Sequence, residues 1–342
     1  MQDNRNEKTA AMISVIIPYY NSNADRHLEQ LLERAILSVQ SQFEDSNEYQ
    51  IIVVDDGSPK PPSHISGKFG ERITLIESVH GRPGAARNRG LEIATGDIVS
   101  FLDADDFYFP GTLKQCVEAM ELSQADLFGF QFRICNGYSA DDTEHFAQEC
   151  GDRQQIHCSS PVSGNSYMIS HTPFGSCCMY LISRELIESN HLRFVENIFM
   201  EDEEFPPRML YYSKRFVISD AVVYAYCRRS GSVTTSDRND ERAESTLTVL
   251  KRLNGFRDSL PPDERAGINR KTAFVAMDHI RLTLRRNDWR TAIRKQTAAL
   301  REIGLWPLRT SRYGWRYNLF AIVSRCMAGQ ILLRLYEKNT SL

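Results

Sequence analysis

The chain has 342 residues, 42% of them hydrophobic and 25% charged, and a formal net charge of -3; this is ordinary globular composition and excludes collagen-like, low-complexity and wholly disordered classes. The length admits one large domain or two smaller ones and buries a core without covalent staples. Residues 238–342 hold 21 Lys+Arg against 10 Asp+Glu, leaving residues 1–237 with 20 against 34, so an acidic part suited to a cation or metal-chelated ligand precedes a basic part suited to anionic lipid, phosphate or nucleic acid.

Residues 1–12 carry no apolar run and read as a disordered segment without a secretory signal. A β-branched strand then runs from Ile13 to Pro18, and a helical pattern follows from Asp25 to Gln42. Strands at 51–54 and 73–76, a helix rich in small residues from Gly84 to Ala94, and a strand at 98–102 complete the first third. Short, uniformly apolar strands alternating with helices predict an α/β fold with a parallel sheet covered on both faces. Past Pro110 come a helix to Leu122, a strand over 126–132, and a polar stretch over 136–166 with weak periodicity. Strand-like runs return at 177–182 and 222–226, separated by the acidic segment 200–205. From Asp240 the signal is helical, with Ala273, Met277, Ile280 and Leu284 spaced as one apolar face. The eight cysteines include no CxxC pair, and Cys177-Cys178 lies in an apolar run. That pattern predicts reduced thiols and a cytoplasmic location.

Ligands of a parallel α/β sheet bind beyond the carboxyl ends of its strands. Three strands here end in distinctive polar groups: Pro18-Tyr19-Tyr20-Asn21, Asp55-Asp56-Gly57-Ser58 and Asp103-Ala104-Asp105-Asp106. Carboxylates two apart at a strand end suit a hard cation, Mg²⁺ or Mn²⁺, shared with a diphosphate. The alternative for Asp103 and Asp106 is capping of the following helix. None of the eight histidines has metal-ligand spacing with another, so they read as structural or surface residues.

Together with Gly84-Ala-Ala-Arg87-Asn88-Arg-Gly90-Leu, these three motifs resemble, in order and spacing, the signature of family 2 (GT-A fold) glycosyltransferases. The likeness is strong over residues 13–122 and looser through Glu201-Asp202 and 224–234. It implies a Rossmann-like, mostly parallel sheet flanked by helices, to which the helical signal after residue 240 adds a C-terminal helical extension. The catalytic domain would span 13–237, with a nucleotide-binding half at 13–122 and an acceptor half at 123–237, and the basic extension 238–342. It also implies roles for single residues. Pro18 and Tyr20 would line the nucleobase pocket, with Tyr20 stacked on uracil and Asp56 accepting from its N3–H. Arg82 would approach the nucleotide, Asp103 the ribose or metal shell, and Asp105 the metal. Arg87 and Asn88 are read as bracing the sheet edge, and Asp55, Gly57 and Ser58 as forming a turn. Asp202, or alternatively Glu201, would be the base that deprotonates the acceptor hydroxyl, whereas for Glu203 and Glu204 favourable placement at a helix N-terminus suffices. Arg228 and Arg229 would belong to a lid over the donor diphosphate, with an exposed turn as the competing reading.

The implied function is an inverting, metal-dependent hexosyltransferase of class EC 2.4, acting on a UDP-sugar and a glycan or lipid-linked acceptor in bacterial surface polysaccharide synthesis. A binding module of the same fold without turnover is one rival. A sugar nucleotidyltransferase is the other, although the Gly-rich basic loop such an enzyme carries after its first strand is absent from residues 18–23. Residues 281–342 hold 13 Lys+Arg against 3 Asp+Glu around an apolar segment, Trp315 to Tyr336, interrupted by Arg316, Arg325 and Arg334. That segment does not read as a membrane span. Peripheral attachment to the inner membrane face and a solvated basic face are its two readings, and no nucleic-acid reading motif is present. Donor sugar, linkage and oligomeric state leave no sequence code.

Overall fold

The structure is a computed structural model that describes residues 11–70, 73–136, 156–228 and 239–339. It contains two compact units. The first takes the described parts of Met1–Val162, Cys177–Asn197 and Lys214–Ser232; the second takes those of Ser163–Ser176, Ile198–Ser213 and Val233–Leu342.

The first unit is built on a sheet of eight strands: β1 (Ile13–Tyr19), β2 (Tyr49–Asp55), β3 (Ile73–Glu77), β4 (Ile98–Phe101), β5 (Phe107–Tyr108), β6 (Leu127–Asn136), β7 (Tyr180–Ser183) and β8 (Phe216–Arg228). Their order is β3-β2-β1-β4-β7-β6-β8-β5. β1 pairs in parallel with β2 and β4, β2 with β3, and β6 with β8; β7 runs antiparallel to β4 and β6, and β5 to β8. The central strands are apolar because both faces are covered: Val15, Ile16, Ile17 and Ile51 to Val54 have no exposed surface. The register sets Tyr19 opposite Asp55, Asp55 opposite Glu77, and Ile16 opposite Phe101. The polar sequences after β1, β2 and β4 therefore emerge at the same edge.

Helix α1 (Arg26–Gln40) is capped by Asp25, whose carboxylate accepts from the His27 amide at 2.9 Å; α2 (His64–Phe69) is short. Helix α3 (Arg82–Ile93) starts two residues before the predicted Gly84, because Pro83 in its first turn already has the helical φ and needs no donor. Its small residues let it lie on the sheet: a Cβ on Gly90 would have no room beside the Ile16 side chain. Helix α4 (Thr112–Ser123) follows β5 with Gly111, not Asp103 or Asp106, at its N-cap.

The second unit is helical, with helices Gly164–Ser170, Phe205–Tyr212, Asn239–Ser259, Ala266–Arg285, Trp289–Glu302, Trp315–Val323 and Met327–Asn339. The first of these begins at the end of the stretch read as weakly periodic and runs four residues past it. Val249, Leu250, Leu253, Val275, Ile280, Leu284 and Ile293 form the core, against which Ile198 and Met200 pack. The predicted face of the 266–285 helix is borne out, with Ile280 and Leu284 buried and Ala273 and Met277 packed against them. The apolar run from Trp315 is broken at 324–326 into two helices. Among the described residues no helix is long and apolar enough to cross a membrane.

Candidate functional site

After β2 the chain turns sharply. The Ser58 amide and hydroxyl both donate to the Asp55 carboxylate, and Ser58 Oγ accepts from the Asn21 amide at 2.9 Å. Gly57 has φ 77°, and a Cβ there would lie 2.8 Å from the His80 nitrogen, so only glycine fits. The loops after β1, β2 and β3 are thereby tied together.

That tie leaves Asp56 buried. Its Oδ1 accepts from the Gly81 amide at 2.8 Å and its Oδ2 faces His80 Nδ1 at 2.9 Å. Burial pushes the Asp56 carboxyl up from its ordinary value, while the Gly81 amide, His80 and the Arg82 amide oppose the rise. The Tyr20 ring, 44% exposed, lies against the His80 ring with centroids 4.4 Å apart. Pro18 is half-buried in β1 opposite Val54. Arg82 opens α3 with φ 68°, a left-handed conformation rare for a side-chain-bearing residue. Tyr20, Asp56 and Arg82 thus occupy one edge of the first unit.

The turn after β4 is the second cluster at that edge. Arg87, nearly buried over the Phe194 ring, donates to Asp103 Oδ1 at 2.8 Å, and buried Arg34 donates to the Asp105 carbonyl at 2.6 Å. Asn88 exchanges hydrogen bonds with the Phe194 backbone. Asp106 accepts from the Tyr224 hydroxyl at 2.6 Å and from the Cys227 amide at 2.7 Å. It is therefore a buried brace joining the turn to β8. Burial first, then Asp105 and Asp103, pushes its carboxyl well above the ordinary range. Asp103 and Asp105 remain half-exposed. Among the described residues no group of three or more His, Cys, Asp or Glu side chains could hold a metal. The donor set of this turn, two carboxylates, fits a hard cation completed by diphosphate and water oxygens and does not fit an all-protein cage.

The acidic segment belongs to the second unit. It is a 3-10 turn, Glu201–Glu203, preceded by Met200 at φ 65°, with helix Phe205–Tyr212 after it. Glu203 Oε2 lies 2.6 Å from Lys271 Nζ, and Glu204 accepts from Arg208 at 2.7 Å and Arg252 at 3.1 Å. Both are held by ion pairs, and Glu204 stands at the N-cap of the helix Phe205–Tyr212, the helix-start placement expected from sequence. Glu201 is buried and Asp202 half-exposed. Arg228 is exposed at the end of β8, and Arg229 lies outside the described residues.

Three residues that sequence reasoning did not assign help to build these clusters. His80 supports Tyr20 and Asp56, Arg34 holds the Asp105 carbonyl, and Lys271 fixes Glu203. Arg34 sits within an amphipathic helix pattern and Lys271 on a helix marked only by its apolar face, so neither carried a local signal. His80 lies two residues before Arg82, which was its only pointer.

A family model described as Glycosyl transferase family 2 matches residues 14–189. The chain is 27% identical over 229 residues to the uncharacterized glycosyltransferase EpsJ of Bacillus subtilis, covering 65% of this chain and 63% of that protein; it thus spans less than two thirds of that relative's length. Among solved structures, TarS 1-349 of Staphylococcus aureus in complex with UDP-GlcNAc is similar with a TM-score of 0.55 and 20% identity, over 85% of this chain and 90% of that one. The mannosyltransferase PcManGT of Pyrobaculum calidifontis, in complex with GDP-Man and Mn²⁺, is similar with a TM-score of 0.56 and 16% identity, over 97% and 89%. At such identities the likeness speaks for the fold, which is GT-A.

Proposed function

Since the chain belongs to glycosyl transferase family 2, we propose that it is an inverting, metal-dependent glycosyltransferase that moves a sugar from a UDP-sugar to a hydroxyl of a glycan or lipid-linked acceptor. The observation that carries this reading is the buried Asp56 carboxylate beside the exposed Tyr20 ring at the edge of a GT-A sheet. A flat ring and a fixed acceptor are what a uracil requires: stacking on Tyr20 above Pro18, and N3–H donation to Asp56. The solved TarS complex with UDP-GlcNAc supports a uridine donor.

Asp103 and Asp105 would hold the cation, and the PcManGT complex with Mn²⁺ supports one. Such an ion supplies neutralisation of the charge that develops on the departing diphosphate. Arg82, Arg228 and Arg229 add charge-assisted hydrogen bonds to the phosphates. Asp202 takes the proton of the acceptor hydroxyl, so that one direct displacement inverts the anomeric centre. Asp202 is half-exposed and Glu201 buried, which favours Asp202 and leaves Glu201 as the alternative base.

Binding of UDP-, GDP- and dTDP-sugars measured by calorimetry with and without Mn²⁺ tests the reading. Mn²⁺-dependent preference for UDP-sugars is expected, with loss of transfer but retained donor binding in Asp202→Asn. Preference for GDP- or dTDP-sugars, or metal-dependent turnover unchanged in Asp105→Ala, would overturn the assignments.

A further inference from the structure

We propose that helices Trp315–Val323 and Met327–Asn339 form a docking face for an anionic bilayer surface. The proposal goes beyond sugar transfer and stands on the second unit alone.

A surface helix normally turns its apolar stripe inward. The helix Met327–Asn339 does the reverse. Met327, Ile331, Leu332, Leu335 and Tyr336 fall on one arc and are exposed, Leu332 by 64% and Tyr336 by 63%. The opposite arc is largely polar, with Gln330 and Glu337 buried and Arg334 partly buried. It is fastened by those polar groups. Glu337, 2% exposed, accepts from Arg281 at 2.7 Å and Arg285 at 2.6 Å, Arg334 donates to the Leu284 and Arg286 carbonyls, and Gln330 donates to the Ser324 carbonyl at 2.9 Å. Gly329 sits so close to the Val323 carbonyl that no Cβ would fit. The inverted orientation is therefore fixed by specific bonds and close packing.

The adjoining helix Trp315–Val323 adds to the exposed apolar surface. It buries Tyr317, Phe320 and Ala321 and exposes Trp315 (71%), Leu319 and Ile322. Burying five or more such side chains in an apolar medium is favourable, and leaving them in water is not.

Charge selects the occupant. Between Ile303 and Leu342 the sole acidic residue is Glu337, which is buried and paired, while Arg309, Arg312, Arg316 and Arg325 are exposed. A second copy of the chain would set arginine against arginine. A bilayer with acidic headgroups takes the apolar side chains among its acyl chains, the arginines among its phosphates, and Trp315 and Tyr336 at the level between them.

Flotation of the full chain with phosphatidylcholine vesicles, with and without phosphatidylglycerol, and with no donor or acceptor present, tests the surface independently of catalysis. Binding to the acidic vesicles is expected, at least about tenfold tighter than to the neutral ones, with about a fivefold loss per residue in Arg312→Gln and Arg316→Gln. Leu332→Glu/Leu335→Glu should abolish binding while leaving the thermal melt unchanged, since both side chains point away from the core. Failure of the native chain to float with acidic vesicles, or equal flotation of the leucine variant, would overturn the proposal. So would a dimer that the leucine variant dissolves in a chain that binds no vesicle.

Discussion

The ion pair between Lys271 and Glu203 offers a sharp test of how the acidic turn is held. Lys271 Nζ stands 2.6 Å from Glu203 Oε2 and 3.3 Å from the Pro173 carbonyl, with the lysine side chain 4% and the glutamate 24% exposed. Lys271→Met leaves a mostly buried carboxylate without its cation. Breaking a buried pair from one side costs about 3–5 kcal/mol, and the partial exposure of Glu203 lowers this to about 2–3 kcal/mol. Glu203→Gln strands the more deeply buried ammonium and should cost about 3–4 kcal/mol. Because each single change leaves its partner uncompensated, the double variant should fall short of the sum by about 1.5–3 kcal/mol. The three tryptophans, Trp289, Trp306 and Trp315, all lie in the second unit. Urea unfolding followed by tryptophan fluorescence therefore reads the element in question. A coupling energy below about 0.5 kcal/mol would refute the pairing. The singles should also lose turnover if Asp202, which shares the turn that Glu203 anchors, is the base as proposed.

Three other outcomes follow from the same geometry. Asp56→Asn should weaken UDP binding by about 10- to 100-fold, the value of a hydrogen bond to a charged acceptor, and an unchanged Kd in calorimetry would remove Asp56 from base recognition. Tyr224→Phe leaves Asp106 Oδ2 without the hydroxyl that donates to it at 2.6 Å, so a stability loss of about 1–3 kcal/mol is expected in urea melts, and a loss below about 0.5 kcal/mol would contradict the brace. Burial lowers the pKa of His279, opposed by its bond to Gln296, so the folded state favours the neutral ring. Its contribution is fully present above the unfolded value of about 6.5 and is lost as pH falls through the lower folded value. The melting temperature should then decline toward pH 5, less steeply in His279→Gln; equal slopes in both proteins would assign the decline elsewhere.

What the sequence made legible was local. β1, β2 and β4 announced themselves because strands buried on both faces are written in uninterrupted apolar residues, and the polar groups at their ends marked the edge that the register then aligned. The brace on Asp106 was hidden because Tyr224 lies 118 positions away, and the anchor of Glu203 lies 68 positions away on a helix whose only visible signal was its apolar face. Which arc of the helix Met327–Asn339 faces inward was hidden for the same reason, since the ion pairs that decide it join Glu337 to Arg281 and Arg285, 56 and 52 positions away.

The interleaving of the two units has a consequence for synthesis. Ile198 and Met200 pack against the core of the second unit, whose helices Asn239–Ser259 and Ala266–Arg285 leave the ribosome only later. The nascent chain must therefore carry the segment Ile198–Ser213 with those two side chains uncovered while the strands on either side of it in sequence are already able to pair. A chain stopped near Asp237 should be cut by proteases within that segment, whereas the full chain resists. The turn bearing Asp202 should then acquire its shape only once the helices on which Ile198 and Met200 pack have been made, so its folding is set by translation order as well as by final contacts.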